Sequence, residues 1–239
     1  MTQRLDKIIC SQSMKSRRET DGLIRRGRVT VNGEICRRPA THIDPDVDEI
    51  AIDGTPLPFS RYVYFMLNKP AGILCVSRDP KAKTVVDLLS PDDRRRDIFP
   101  AGRLDRDTHG LVLLTNDGEL AHRILSPKHH IPKRYLVRLD GPIGQAEIEA
   151  IETGPVLADG TKCLPAHLTV LQDGGEPLVE ITIFEGKFHQ IKRMFGTVDR
   201  GVTWLKRVSM GGLTLDDTLQ ECEYRSLGKQ EISLLFKGC

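Results

Sequence analysis

The sequence predicts an α+β fold, in which a small N-terminal module precedes a larger domain with a mostly antiparallel, mixed sheet flanked by helices. Two observations support this division. Residues 1–43 hold ten Lys or Arg residues against four Asp or Glu residues, whereas acids slightly outnumber bases in the rest of the chain. From residue 61 onward, short apolar runs typical of strands alternate with turns and helical stretches. We therefore expect domains at residues 1–60 and 61–239.

The N-terminal module is expected to contain two helices and a short hairpin. Ser16 and Glu19 have the spacing of a capping box, in which each side chain bonds the backbone N–H of the other residue. Asn32 and Gly33 suit a two-residue hairpin turn, because both of its central positions require positive φ. The expected elements are a helix over residues 4–11, a helix over residues 16–26 and a hairpin around residues 32–33.

Strands predominate in the second domain, and several of them are expected to be joined by hairpins. The helical stretches read GELAHRIL and QAEIEAIETG. No G-x-G-x-x-G or P-loop pattern occurs, so a nucleotide cofactor is not expected. The apolar runs that predict strands are YVYFMLNKP, GILCV, GLVLLT, RYLVRL, HLTVL and LVEITIFEG.

Composition narrows the classes of protein to consider. The six cysteines are scattered without a C-x-x-C pair, which favours free thiols in a reducing compartment over a zinc site. No apolar run approaches the roughly 20 residues that span a bilayer, and no secretory signal is recognisable. A cytoplasmic protein without a membrane partner is therefore expected. The basic N-terminal segment is either a polyanion-binding surface or an ordinary solvated face.

Three clusters of polar residues are candidates for chemistry. They are centred on Asp105 in GRLDRDTHG, Tyr135 in HHIPKRYLVRL, and Lys192 with Arg193 in FEGKFHQIKRMF. Taken one at a time, each cluster has an ordinary explanation. An Asp in a glycine-flanked turn commonly caps backbone donors, a Tyr in a strand commonly packs in a core, and a Lys-Arg pair on a helix is commonly solvated.

Together the clusters resemble the pseudouridine synthases, in the branch that acts on small-subunit ribosomal RNA. The signature G-R-L-D-x-x-T-x-G-L of that family stands at residues 102–111. Further similarity covers FMLNKPAGILCV, SPKHHIPKRYLV, EGKFHQIKRMF and the late GGLTL, in the expected order along nearly the whole chain. SRRETDGLIRRGRVTVNGE resembles the alpha-L RNA-binding motif of the ribosomal protein S4 type.

The resemblance implies isomerisation of uridine to pseudouridine within RNA, without cofactor or metal, in a central cleft. The family position of the catalytic aspartate matches Asp105, which either attacks the anomeric carbon or assists elimination to a glycal. Either route needs an ionised carboxylate, and a nearby cation stabilises that form. Lys192 matches the family's cationic partner, and Arg193 follows it as an alternative.

The resemblance also implies substrate contacts around the catalytic aspartate. Tyr135 matches a tyrosine that stacks on the flipped uracil and lies near the proton lost from C5. Arg103 matches an arginine that holds the flipped-out state, and Ile191 would pack under the base. In the N-terminal module, arginines are expected to contact RNA phosphates, which supply affinity with little base specificity. These arginines are Arg17, Arg18, Arg25, Arg26 and Arg28.

Several alternatives remain open at the level of sequence. A sister enzyme acting on large-subunit ribosomal RNA would share the same two-domain plan. A catalytically silent RNA-binding assembly factor would not need Asp105, Tyr135 and Lys192 together. A glycosidase-like hydrolase would need two carboxylates at a defined separation, and Asp105 and Asp107 are too close in sequence for that. We expect a monomer whose partner is ribosomal RNA, either free or in an assembling particle.

Overall fold

The computed structural model describes residues 2–95 and 97–237, which form two compact units. One unit contains the chain up to Val63 together with Leu89–Ile98, and the other contains Tyr64–Leu88 and the chain from Phe99 onward. The expected boundary after residue 60 lies close to Val63, where the first segment of this unit ends. The sequence did not predict that Leu89–Ile98 belongs to the first unit. Within the described residues, no helix has the length and apolar character needed to cross a bilayer.

The first unit combines two helices with short strands. The elements are β1 Gln3–Arg4, α1 Leu5–Ser11, α2 Arg17–Arg25, β2 Val29–Val31, β3 Glu34–Ile35, β4 His42–Ile43, β5 Ile50–Ile52 and β6 Thr55–Pro56. Strand β1 pairs with β4, while a second sheet has the order β3-β2-β5-β6. The helices pack on an apolar core that includes Leu5, Ile8 and Ile24, all fully buried.

The local signals of the first unit are confirmed. The Ser16 hydroxyl accepts a hydrogen bond from the Glu19 backbone N–H at 3.2 Å, and the Glu19 carboxylate accepts one from the Ser16 N–H at 2.6 Å. This capping box begins α2 and satisfies two donors at the helix N-terminus. Asn32 and Gly33 have φ values of 52° and 82°, as the turn between β2 and β3 requires.

A nine-stranded mixed sheet dominates the second unit, as expected. The strands are β7 Tyr64–Lys69, β8 Phe99–Pro100, β9 His109–Thr115, β10 Lys133–Leu139, β11 His167–Gln172, β12 Leu178–Ile183, β13 Val202–Met210, β14 Leu213–Thr214 and β15 Tyr224–Ser226. Their main order in the sheet is β11-β12-β10-β13-β9-β7-β15, with β14 paired to β13 and β8 paired to β9. Strands β9 and β13 pair in parallel, and the other described pairings in this sheet are antiparallel.

The two predicted helices of the second unit are confirmed, and two more are present. Asp117 caps the first of them, because its carboxylate accepts a hydrogen bond from the Leu120 N–H at 2.9 Å. Leu120 and Ile124 on that helix then pack into the core beside Leu111 and Leu113 of β9. The helices are α3 Gly118–Leu125, α4 Gln145–Glu152, α5 Gln190–Gly196 and α6 Lys229–Leu234.

The sequence prediction was wrong at one strand and missed four others in the second unit. The run GILCV forms no extended strand, since Leu74 makes only an isolated bridge to Thr84 and Gly72 turns with φ 85°. The missed strands are β8, β13, β14 and β15. The longest of them is β13, whose alternation is disguised by a buried charge. Arg207 is 2% exposed and donates a hydrogen bond from Nε to the Leu111 carbonyl at 2.9 Å.

Candidate active site

A loop between β8 and β9 carries Asp105 just before the N-terminal end of β9, an interior strand of the sheet. The loop closes on itself, since the Thr108 N–H donates to the Asp105 carbonyl at 3.1 Å. It ends at Gly110, where φ is 99° and a Cβ atom would collide with the backbone oxygen of Arg207 on β13. Glycine is therefore required for the parallel approach of β9 to β13. The Asp105 side chain stays 29% exposed.

A buried lysine holds this loop from beneath. Lys69, at the end of β7, is fully buried, and its ammonium lies 3.2 Å from the Asp105 carbonyl oxygen, 3.2 Å from that of Arg106 and 2.9 Å from that of Thr108. The Pro70 carbonyl accepts a further hydrogen bond at 2.9 Å. Burial lowers the pKa of Lys69, and nearby acids oppose that shift. The lysine therefore constrains the backbone that presents the Asp105 carboxylate.

Asp105 lines a cleft that several segments, distant in sequence, build. The loop after β8, strands β10, β12 and β13, and the chain at the start of α5 all contribute residues, and the cleft has a volume of about 90 Å³. Tyr135, the third residue of β10, is 7% exposed and lines this cleft rather than only packing in the core. The lining residues are Arg103, Leu104, Asp105, Thr108, Tyr135, Ile183, Gly186, Lys187, His189, Gln190, Ile191, Lys192 and Leu205.

Two cationic or potentially cationic side chains approach Asp105 from α5 and its N-terminal cap. Lys192 Nζ lies 3.9 Å from Asp105 Oδ2, and His189 Nε2 lies 3.6 Å from Asp105 Oδ1. The closest partner of Lys192 is nevertheless Asp107, whose carboxylate oxygens lie 2.5 and 2.6 Å from Nζ. This hydrogen bond lowers the pKa of Asp107. Lys192 is therefore shared between two carboxylates, an arrangement that the sequence did not predict.

The remaining expected substrate residues divide into two groups. Arg103 is exposed and Ile191 is 4% exposed, and both line the cleft. Arg193 instead forms an ion pair with Asp159 at 2.6 Å. Hydrogen bonds from Thr161 and Arg193 lower the pKa of Asp159 to about 2. Of the two candidate cations, Lys192 is therefore the one whose ion pair is with Asp105, and Arg193 is paired with Asp159.

Sequence reasoning missed three polar residues of this site. Lys69 could have been noticed in the sequence, because it ends an apolar strand, and a lysine is seldom buried there without a special role. Thr108 occupies the signature threonine position, and its buried hydroxyl has no hydrogen-bond partner among the described residues. His189 begins α5 with φ 48°, an unusual conformation for a residue other than glycine. Nothing in the sequence indicated that its ring would reach Asp105.

In the first unit, the five arginines expected to contact RNA are all exposed. Two of them have carboxylate partners: Arg25 Nε lies 2.7 Å from Asp21, and Arg28 Nε lies 2.7 Å from Asp53. The hydrogen bond from Arg28 lowers the pKa of Asp53. The five arginines are Arg17, Arg18, Arg25, Arg26 and Arg28.

Two family models match the chain, one near its N-terminus and one over the residues that follow. The model described as RNA pseudouridylate synthase matches residues 63–197, and the S4 domain model matches residues 3–48. The first match covers more than half of the chain, and it contains Asp105, Tyr135 and Lys192. The chain therefore belongs to the RNA pseudouridylate synthase family, whose members are isomerases, and it carries an S4 domain.

Relatives of similar length support this membership. The chain is 43% identical to the uncharacterized RNA pseudouridine synthase YtzG of Bacillus subtilis, covering 97% of this chain and 98% of that protein. It is 44% identical to ribosomal small subunit pseudouridine synthase A of Escherichia coli, covering 96% of this chain and 98% of that protein. A crystal structure of a pseudouridylate synthase superposes with a TM-score of 0.69 at 39% identity, covering 97% and 99% of the two chains.

Proposed function

We propose that this protein converts one uridine of small-subunit (16S) ribosomal RNA to pseudouridine, with Asp105 as the nucleophile. The observation that carries the proposal is the position of the Asp105 carboxylate, which lines one cleft together with Tyr135 and lies 3.9 Å from Lys192. An ionised carboxylate beside a cation and an aromatic ring is suited to react at a sugar carbon beneath a bound base.

The reaction is an isomerisation, so its atoms balance without a co-reactant. Asp105 attacks C1′ of the ribose while the bond from C1′ to N1 of uracil breaks, which leaves a uracil anion in the cleft. The uracil turns, its C5 bonds to C1′, and the carboxylate leaves. The proton on C5 is then removed, and N1 gains a proton. A uridine in a stacked helix cannot reach the cleft, so it must first flip out.

We assign roles to the neighbouring residues from their positions in the cleft. Tyr135 stacks on the uracil and lies near the C5 proton, Ile191 packs on the base, and Arg103 holds the flipped nucleotide at the exposed edge. Lys192 stabilises the ionised carboxylate of Asp105 through charge attraction. Arg193 acts indirectly, because its ion pair with Asp159 engages the guanidinium elsewhere.

The choice of RNA is supported by the S4 domain and by the relative from Escherichia coli, whose printed name specifies the small ribosomal subunit. We propose that residues 1–60 dock the RNA through exposed arginines, and that residues 61–239 carry the chemistry. We also propose that the protein acts as a monomer; the described residues that line the cleft all lie in one unit.

The test is to map pseudouridines in ribosomal RNA from cells with and without the gene, by carbodiimide modification and primer extension. We expect one 16S pseudouridine to disappear without the gene, to return with the intact gene, and to stay absent with an Asp105→Asn gene. Loss of a 23S pseudouridine instead would overturn the choice of RNA. An unchanged map would overturn the proposed function.

A further inference from the structure

An exposed aromatic ring stands beside the cleft without a role in the chemistry described above. Phe188 is 74% exposed, more than any other Phe, Tyr or Trp side chain among the described residues. Its ring stacks on the His189 ring, with centroids 3.8 Å apart and planes inclined by 19°. One face of the phenyl ring is therefore covered by the imidazole, and the other face is open to solvent.

The backbone around this ring is held in place. Arg193 donates a hydrogen bond from Nη1 to the Phe188 carbonyl at 3.2 Å, and its Nη2 forms an ion pair with Asp159 at 2.6 Å. His189 has φ 48°, so the chain turns sharply between the phenylalanine and helix α5. An exposed aromatic side chain on a constrained backbone loses little conformational freedom when it binds a partner.

The ring lies at the rim of the cleft rather than inside it. Lys187 and His189 line the cleft on either side of Phe188 in the chain, and His189 Nε2 lies 3.6 Å from Asp105 Oδ1. The imidazole thus stands between the Asp105 carboxylate and the phenyl ring. A uracil held against Asp105 and Tyr135 leaves the Phe188 ring free for a different base.

We propose that the open face of Phe188 stacks on the unpaired base of a nucleotide adjacent to the target uridine. The inference rests on the proposed function, because the reason for an unpaired base here is the flipping of its neighbour. When a uridine leaves the helix, the adjacent base loses a stacking partner. An aromatic side chain replaces that contact with little preference among bases, because every base offers a π-face.

The test compares removal of the aromatic ring with removal of the adjacent base. Binding is measured for Asp105→Asn and for Asp105→Asn combined with Phe188→Ala, using a short synthetic RNA centred on the uridine that the mapping identifies. Matched RNAs carry an abasic site on the 5′ or the 3′ side of that uridine. We expect one abasic site to weaken binding by about 5- to 150-fold with Phe188 present, and to have no effect with Phe188→Ala.

This comparison separates base stacking from an indirect effect through His189. If Phe188 only supports the imidazole, Phe188→Ala and the abasic site will weaken binding independently, and the inference is overturned. Phe188→Trp should preserve sensitivity to the abasic site, whereas Phe188→Leu, which has no π-face, should lose most of it. Leu171→Ala, which removes a 52% exposed apolar side chain on β11, should leave the sensitivity unchanged.

A second probe keeps the inference independent of the identified target. Oligouridine RNA with a single internal 2-aminopurine reports stacking by a loss of fluorescence. We expect stronger quenching with Phe188 present than with Phe188→Ala at saturating protein, and equal quenching would overturn the inference. If the mapping finds no affected uridine while this difference persists, the proposed function fails and the stacking surface stands.

Discussion

The charged side chains around Asp105 and the arginines of the N-terminal unit differ in how many neighbours hold them in place. Around Asp105, fully buried Lys69 contacts three carbonyl groups of the loop, and Lys192 and His189 approach the carboxylate from α5 and its N-terminal cap. In the N-terminal unit the five arginines expected to contact RNA are exposed, and the two with carboxylate partners, Arg25 and Arg28, each pair with a single carboxylate.

This difference predicts how each region responds to substitution. A partly buried charged group that several neighbours constrain is held in one position. When it is removed, no neighbouring side chain can take over its interactions. Exposed charges on a binding face attract RNA together, and salt screens that attraction. Each charge therefore contributes little to RNA affinity, and its contribution falls as the salt concentration rises. The predictions below test this contrast, from the largest expected effect to the smallest.

The largest effect is expected for Asp105→Asn. Loss of the nucleophile should lower turnover by about 10⁴-fold or more, while RNA affinity stays nearly unchanged because the amide is isosteric. Single-turnover conversion of 16S RNA and filter binding measure the two quantities. Asp107→Asn is the matched control, since the same change two residues away removes only the closer partner of Lys192. Comparable loss in both variants would contradict the assignment of Asp105.

The substitution Lys69→Met tests whether the loop that carries Asp105 depends on the buried Lys69 ammonium. The methionine fills a similar volume but removes the ammonium donor from the carbonyls of Pro70 and Thr108 and leaves those of Asp105 and Arg106 with one backbone donor each, so we expect the free energy of unfolding to fall by about 3 kcal/mol. Urea denaturation measures this change. Lys206→Met, at a half-buried lysine of β13, should cost less than about 1 kcal/mol. A stable Lys69→Met with full activity would refute this view of the loop.

Lys192→Met and Arg193→Met form a pair that separates the two candidate cations. Lys192→Met should lower kcat by about 10²-fold, because Asp105 and Asp107 then lose a shared positive charge. Arg193→Met should have a much smaller effect on kcat, since the guanidinium is engaged by Asp159. Steady-state kinetics at saturating RNA gives both values. The reverse order of effects would make Arg193 the partner of the catalytic carboxylate.

A moderate effect on binding alone is expected for Arg17→Ala combined with Arg18→Ala. Neither arginine forms an ion pair with another described residue, so both are free to contact phosphate. Each lost phosphate contact should lower the slope of log affinity against log salt by about 1. Turnover at saturating RNA should stay the same. An unchanged salt slope would show that these arginines do not touch RNA.

The smallest effect is expected from Asp53→Asn, which releases a single exposed arginine. The substitution removes the ion pair with Arg28, and such pairs contribute at most about 1 kcal/mol to stability. Folding should therefore change little, while RNA affinity rises slightly at low salt because Arg28 becomes available to phosphate. Titration at two salt concentrations measures this gain. A fall in RNA affinity would mean that the pair itself positions the RNA-binding face.

The prediction of the fold succeeded wherever short-range signals were strong. The capping box of Ser16 and Glu19 and the positive φ values of Asn32 and Gly33 depend on neighbouring residues, so the sequence alone specifies them. It failed at β13, because a buried Arg207 breaks the expected alternation, and its Nε donates to the Leu111 carbonyl, 96 residues away in sequence.

The sequence by itself determined the family, the order of the two modules and the aspartate that we propose as the nucleophile, since motifs and local hydrogen bonding lie within short stretches. Only the tertiary structure decided which charges meet: Lys69 beneath the loop, His189 beside the carboxylate, and Lys192 shared between Asp105 and Asp107 across 85 residues. Such contacts depend on how distant strands and helices pack, and no local pattern of residues encodes that geometry.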